Sequence, residues 1–561
     1  MNKKLDNNQF KNLLSLEKIA LIFIALGVIL RIVNLGSREF WYDEVLSLLL
    51  STGNKNSYQN PGELPILLSK YTDLLSIETE SSLGDFIRTI ITLLKSLLGG
   101  EPHPPIFFLS QHFWLRFFGN SEAAMRSLNT LFSIAAMAGS YGLGKFIFGH
   151  RGGIFFTALL AISPYYLFHS LNVRMYAPLV LWVILSTWAL LYLIESTKSN
   201  NSLTRKQWLL WNGILIISIT AGLLTFYLYA YWLIVLAILV LYLDRRNWLQ
   251  HGLRLGTGVL LTIPWVLWGT LKQLRNADIN RFGNLKSTLP PILIHFQDFA
   301  NTIGTNILIG DWATSINPAI VTISGCIVIL AFIGFSFHLW QKGEKQKLIT
   351  VFILGLLPLF LSLMVDIITK KFTLGFGFGR TMIIIVPGCL LLITLWVEKA
   401  VNKQWQTLVA TGILLVYLTI SIGDFSLRSR YVFRSVADLV AQNPNQTTLI
   451  AMNSKAWGHV NRLAYYIPST YPVILLSQNP ADLATRLEKV IQTEPNKYAR
   501  IIWLNSGNPL WSKLKTEAEV KTEEEKIKSI LSNQYQLQET RNLSGTLTLD
   551  DFTAYLYNRN L

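Results

Sequence analysis

From residue 19 to residue 422 the chain alternates long apolar runs with short polar stretches. The runs cover approximately 19–35, 123–148, 153–169, 177–194, 208–225, 228–243, 253–270, 318–340, 348–365, 381–397 and 406–422. An α-helix needs roughly 20 apolar residues to cross about 30 Å of hydrocarbon, so the pattern predicts about eleven spans. The run 105–118 is short and is interrupted by Gln111, His112 and Arg116, which fits a helix lying in the headgroup plane. From about residue 424 the pattern changes. Helix-like periods at 436–442, 463–467 and 481–491 alternate with β-prone runs at 448–451, 473–476 and 501–504. That alternation predicts a small α/β domain with a partly parallel sheet. The predicted fold is an α-helical polytopic membrane protein, with a membrane domain over 1–423 and an extramembrane domain over 424–561.

Composition agrees. The chain is 51% hydrophobic and only 15% charged, too poor in charge for a soluble protein of 561 residues. Its mean hydropathy is +0.37. The net charge of +16 lacks the basic stripe and aromatic interleaving of a nucleic-acid surface. In a membrane protein it reads as orientation signal and as attraction to anionic lipids, so membrane lipids are expected partners and nucleic acid is not. Cys326 and Cys389 lie inside apolar runs and read as core residues. The polar start, residues 1–18, reads as an uncleaved cytoplasmic tail.

Loop charges set the orientation. Lys145 and Arg151, Lys198 and Arg205, Arg245 and Arg246, Lys342 and Lys347, and Lys399 and Lys403 fall on one side of the span list. The positive-inside rule makes that side cytoplasmic, together with the N-terminus. Asp43, Glu44, His103 and everything after residue 424 are then non-cytoplasmic, at the cell membrane.

Phe40-Trp41-Tyr42-Asp43-Glu44 follows directly on the first apolar run. Acidic groups where a membrane helix meets water either are solvated or do chemistry there. Flanking aromatics partly desolvate a carboxylate, and burial raises its basicity, so Asp43 and Glu44 are candidate catalytic groups. Glu101-Pro102-His103-Pro104-Pro105 is stiff, because each proline fixes its own φ and restricts its predecessor. It presents the His103 imidazole rigidly, as binding a phosphate requires. Arg174-Met175-Tyr176 sits in a short outer turn, where an Arg opposes the positive-inside bias and calls for a partner. Outer cations Lys272, Arg275, Arg281 and Lys286 form one group, and Lys370, Lys371 and Arg380, beside Gly375-Phe376-Gly377-Phe378-Gly379, form another. Such clusters suit capture of a lipid-linked phosphate. The outer loops have no Asp-x-Asp pair or His/Cys cluster with ligand spacing, so no cofactor is expected and a divalent metal stays open. The C-terminal domain has no phosphate loop, metal motif or nucleophile elbow and reads as a lid or docking module. Its 521–528 charge run reads as a solvated helix surface.

These motifs, in this order, resemble the GT-C membrane glycosyltransferases. The resemblance rests on Trp41-Tyr42-Asp43-Glu44, His103-Pro104-Pro105, the stretch Phe113-Trp114-Leu115-Arg116-Phe117-Phe118-Gly119-Asn120-Ser121-Glu122 with Arg126, and Arg174-Met175-Tyr176. Within that fold the chain is similar to the branch of protein O-mannosyltransferases and lipid A aminoarabinose transferases. Arg380 and Pro387 look like the family's later Arg-Tyr-x-x-Pro region, with Thr381 in place of the Tyr. The resemblance implies inverting transfer of a sugar from a polyprenyl-phosphate donor to a protein, lipid or glycan acceptor on the outer face. It implies an outer catalytic loop over about 37–122, Asp43 as the catalytic carboxylate and His103 beside the donor phosphate. Relatives often carry an acid two positions before the Arg of Arg-Met-Tyr, where this chain has Asn172. A transporter or flippase for a lipid-linked saccharide is the competing expectation. It would place ionisable groups near mid-membrane on broken helices, whereas the spans here are largely free of Asp and Glu.

Cysteines introduced at Ser57 and Ser506 are expected to react with an impermeant thiol reagent in intact cells, and one at Ser202 is not. Labelling at Ser202 alone would reverse the topology.

Overall fold

The computed structural model describes residues 15–99, 101–198, 203–276, 289–428, 430–514 and 516–560. Arg281, Lys286 and Ser202 lie outside the described residues, and Ser506 is buried at the end of a strand, so the outer-face cysteine test rests on the exposed Ser57. The chain divides into two compact units. One takes the N-terminal stretch up to Leu35, Leu97–Phe107 and Arg126–Leu427; the other takes Gly36–Ser96, Phe108–Met125 and Arg428–Leu561.

The first unit is helical. Among the described residues, five helices are long and apolar enough to cross a membrane, or seven if each of two bent pairs is one span. The five are Glu122–Phe148, Tyr176–Lys198, Pro318–Gln341, Arg380–Lys399 and Lys403–Leu427. The pairs bend by 63° between His150–Ile162 and Pro164–Ser170, and by 47° between Lys345–Gly355 and Leu357–Thr369. Pro164 and Pro358 sit at those breaks, where a missing N–H and a ring clash interrupt the ladder.

The expected count of about eleven is therefore not reached by helices of spanning length and composition. The other four runs do form helices. Leu16–Val33 carries Glu17, Lys18 and Arg31, and Arg205–Leu223 begins on two cations. Tyr229–Leu243 has only 15 residues. The run 253–270 breaks at Pro264 into Trp248–Leu260, Ile263–Trp265 and a π-helical turn, Val266–Thr270. The run 105–118 is a 13-residue helix, Ile106–Phe118, as its length required.

Tyr176–Lys198 and Arg380–Lys399 are central, with 78% and 83% of their apolar windows buried, against 28% for Pro318–Gln341 and Lys403–Leu427. On Pro318–Gln341 an exposed row of Ile320, Ile323, Ile327 and Leu330 follows the helical repeat, as a lipid-facing stripe does. Helices pack closely where side chains vanish. A Cβ on Gly325 would overlap the Ala300 carbonyl, and one on Gly304 would lie 2.6 Å from the Gly325 nitrogen. Arg31, fully buried, donates to Ser133 Oγ at 2.6 Å and to the Gly27 and Ala161 carbonyls at 2.9 and 2.5 Å, tying three helices together.

The second unit is built on a six-stranded sheet: β1 (Ile66–Leu67), β2 (Thr448–Met452), β3 (Val473–Ser477), β4 (Arg500–Ser506), β5 (Tyr535–Leu543) and β6 (Phe552–Arg559). The order is β1-β3-β2-β4-β6-β5. The three predicted runs are the parallel centre β3-β2-β4, and each is buried along its whole length, as expected of strands covered on both faces. Leu449, Ala451, Leu487, Trp503, Leu531 and Tyr535 pack in its core. The antiparallel β5 and β6 were not expected from the sequence. The 521–528 charge run lies on the helix Glu517–Ser532.

The boundary at 423 is redrawn by this unit. Most of the outer loop 37–122 joins the C-terminal domain, and β1 within it pairs antiparallel with β3 (Ile66 with Leu475). A sheet edge left open by β3 is satisfied by the loop's own backbone.

Gly325→Val is expected to lower the thermal midpoint of the purified protein in detergent, since overpacking at such a contact costs about 1–3 kcal/mol. Gly412→Ala, where nothing lies within 4 Å of the added carbon, should leave the midpoint unchanged or raise it slightly.

Candidate active site

In the second unit the acidic motif forms a helix start. Trp41 is the N-cap of Tyr42–Thr52, which places Asp43 and Glu44 in the first turn. Glu44 is buried and its carboxylate accepts the Trp41 N–H at 3.2 Å, closing the helix end on itself. Glu44 thus has a structural task. Asp43 is half-buried in the same first turn. Of the two carboxylates, Asp43 is the one with surface left to meet a substrate.

The segment leading to Asp43 is held residue by residue. Glu39 is buried; one oxygen accepts the N–H groups of Phe433 and Arg434 at 2.9 and 3.1 Å, and the other meets Arg462 at 2.7 Å. Arg462 also reaches Asp550 at 2.5 Å. The Phe40 N–H donates to the Tyr466 hydroxyl at 2.6 Å, and that hydroxyl meets the Glu122 carboxylate at 2.5 Å. Tyr42 packs edge-on to His459, with ring centroids 5.3 Å apart, and leaves no room for a Cβ on Gly458. Burial raises the Tyr42 phenol, which stays neutral. Burial lowers His459, which is neutral too. Burial alone would raise the Asp550 carboxyl, but the Arg462 guanidinium outweighs it and holds Asp550 below its ordinary value. Glu39 is raised by burial, against the pull of Arg462.

In the first unit His103 is half-buried. Its ring stacks on Phe226 at 5.7 Å, and Nδ1 hydrogen-bonds the Glu101 carboxylate. Gln273 accounts for the backbone: its amide donates to the His103 carbonyl at 2.8 Å and to the Leu97 carbonyl at 3.1 Å, and it accepts from the Tyr227 hydroxyl. Gln273 sits on Leu271–Asn276 between Lys272 and Arg275, both exposed, so the helix bearing these cations is fastened to the His-Pro-Pro segment. Lys272 lies over the Trp268 ring at 5.7 Å.

Also in the first unit, Arg174 and Tyr176 share a buried cluster. The Asn129 amide donates to the Arg174 carbonyl at 2.8 Å and to that of Asn172, fixing the turn. His169 lies between Tyr165 and Tyr176, with centroids 4.3 and 4.6 Å away, and its Nδ1 pairs with the Asn172 amide at 3.1 Å. Asn172 is thus a neutral partner of His169. Tyr165 donates to the Phe378 carbonyl at 3.3 Å and lies within electrostatic reach of Tyr176, Arg380 and Asp311. Left-handed backbone at Gly377, Phe378 and Gly379 turns the chain so that Arg380 opens the helix Arg380–Ile385, its guanidinium 5.3 Å from the Phe376 ring centre. Burial and Asp366 push the nearby Asp298 carboxyl up to about 6.

The structure therefore groups Arg174 and Tyr176 with Arg380, and His103 with the helix of Lys272 and Arg275. Sequence reasoning missed Gln273, Glu39, Arg462 and Asp550. Only Glu39, beside the acidic motif, carried a local signal. Among the described residues, no group of three or more His, Cys, Asp or Glu side chains is placed to hold a metal ion.

Residues 102–268 match the family model described as dolichyl-phosphate-mannose-protein mannosyltransferase. The match begins at the His-Pro-Pro segment and contains Arg174-Met175-Tyr176. No curated protein matches the chain. Among solved structures, the Archaeoglobus fulgidus oligosaccharyltransferase in complex with Zn and sulfate aligns over 86% of this chain and 67% of its own, at 11% identity and a TM-score of 0.49. ArnT from Cupriavidus metallidurans bound to undecaprenyl phosphate aligns over 96% of this chain and 97% of its own, at 13% identity and a TM-score of 0.40. Through residues 102–268 and the ordered motifs around them, the chain resembles the GT-C membrane glycosyltransferases.

Proposed function

We propose that this protein is an inverting membrane glycosyltransferase. It moves a sugar from a polyprenyl-phosphate donor to a protein, lipid or glycan acceptor on the non-cytoplasmic face. The observation that carries this reading is the family match over 102–268, which takes in both His103-Pro104-Pro105 and Arg174-Met175-Tyr176. The half-buried Asp43 at a capped helix start supports the assignment of a base.

In this mechanism an acceptor nucleophile attacks the anomeric carbon while the bond from that carbon to the phosphate oxygen breaks. Asp43 takes the proton released by the acceptor. Negative charge grows on the departing polyprenyl phosphate, and fixed cations at a water-poor surface stabilise it. His103, Arg174 and Arg380 have this role, with Lys272 and Arg275, and Arg281 on sequence grounds. Tyr176 orients the donor beside Arg174. Glu44 holds the helix start on which Asp43 stands.

Asp43→Asn, which keeps size but removes basicity, is expected to lower transfer by ~10²–10⁴-fold in the purified enzyme. Near-normal transfer by a well-folded Asp43→Asn protein would end this assignment. Arg380→Ala should cut transfer from the lipid-linked donor steeply with thermal stability nearly unchanged. Lost stability with intact turnover per folded molecule would make Arg380 structural instead. Mass spectrometry of envelope glycans and lipids with and without the gene would name the sugar.

A further inference from the structure

A buried charge cluster in the second unit takes no part in the transfer chemistry proposed above. Arg462 and Asp550 are fully buried, and Glu39 is nearly so, beside the neutral His459. Removing such ions from water is expensive, and their mutual attraction often fails to repay it, so a buried cluster of this kind is weak evidence for stability alone. What it does is geometric. Arg462 clamps Glu39 on one side and Asp550 on the other, at 2.7 and 2.5 Å. The second Glu39 oxygen accepts two N–H groups from the first turn of the helix Phe433–Ala441. Glu39 is thus fixed from several directions, four positions before Asp43.

The helix that supplies Arg462, Trp457–Tyr466, grips the following residues as well. Tyr466 takes the Phe40 N–H, and the Phe40 ring lies 4.9 Å from that of Tyr465. Tyr42 rests on Gly458 and His459 in the helix's first turn. This helix follows β2, the central strand, which has β3 on one side and β4 on the other. In open α/β sheets the crevice beyond the carboxyl ends of the strands at such a switch point is the usual seat of a ligand. Here the chain's own Tyr42 docks on the first turn of the helix that leaves β2.

We propose that Arg462, with Glu39 and Asp550, positions Asp43: the clamp fixes residues 39–42 so that the helix start presents the carboxylate in one orientation. The C-terminal sheet domain is then part of the catalytic apparatus, acting through residues that touch no substrate. The inference rests on the reading of Asp43 as the base. A displacement of about 1 Å at a reacting group can cost ~10²-fold in rate, so a positioning residue can matter nearly as much as the base itself.

The test uses the full-length purified protein and two mild variants. Glu39→Gln keeps shape and an acceptor for the Phe433 N–H but removes the charge facing Arg462. Arg462→Lys keeps the charge but cannot reach both carboxylates as a planar fork. Both should lower kcat by about tenfold to a hundredfold, with KM for a polyprenyl-phosphate sugar nearly unchanged. Amide hydrogen exchange should quicken over 37–46 and stay at wild-type rates over β2 and β4. In an Asp43→Asn background, Glu39→Gln should add little further loss, because both act on the same group. Wild-type kcat and wild-type exchange over 37–46 in both well-folded variants would overturn the proposal. So would faster exchange across β2 and β4 with kcat falling only as the folded fraction falls, since the cluster would then serve folding alone. If Asp43→Asn itself retained turnover, the base assignment would fail separately, and the exchange over 37–46 would still decide whether the clamp holds the turn.

Discussion

The shape of the acidic turn depends on one guanidinium. Arg462 lies between two buried carboxylates, and either would be an uncompensated buried charge without it. Glu39 in turn caps the helix Phe433–Ala441 through two backbone N–H groups. One ionic contact therefore joins a loop, two helices and the segment bearing Asp550. The aromatic contacts of Phe40 and Tyr42 add apolar burial to an arrangement the charges have already oriented. In the first unit, buried polar groups have a similar orienting task. Gln273 satisfies the backbone around the His103 segment, and Asn129 satisfies that of the Arg174 turn.

The membrane helices follow a different logic. Within hydrocarbon there is little hydrophobic drive between helices, so close backbone approach matters more. Gly325 against Ala300 and Gly388 against Leu354 are places where the absence of a side chain permits contact. Arg31 is a fully buried charge among these apolar surfaces. Its charge is spread over a hydroxyl and two carbonyls and faces the Tyr166 ring.

Much of this architecture was legible in the sequence because its signals are local. Apolar runs mark helices whatever their neighbours, and the β-prone runs at 448–451, 473–476 and 501–504 became the parallel strands of the sheet. Their lengths and breaks were less legible, since Pro164, Pro264 and Pro358 divide runs that hydropathy alone reads as continuous. Strand β5 is mostly polar, and β6 carries only the short apolar stretch 554–557 between polar neighbours, so neither stood out as the others did. At the candidate site, the Asp43 motif and His103-Pro104-Pro105 stood out through composition and stiffness. Arg462 and Asp550 did not, because nothing near them in sequence distinguishes a buried ion from a surface one. Gln273 was overlooked for the opposite reason: its charged neighbours Lys272 and Arg275 drew attention, yet they are exposed and it is buried.

The contact between Glu39 and Arg462 spans 423 residues of chain. At a synthesis rate of about 5–20 residues per second, the partner of Glu39 is made roughly 20–80 s after Glu39 itself. During that interval the helices of the first unit can assemble, but the Trp41–Glu44 turn has neither its ionic anchor nor the Gly458 surface on which Tyr42 rests. A nascent chain can therefore hold much of its membrane scaffold while its acidic turn is still unshaped. The last strand, β6, follows directly on Asp550, so the clamp is completed only when the sheet itself is nearly complete. The acidic turn can therefore take its final shape only after the central strand β2 and the helix that follows it have been made.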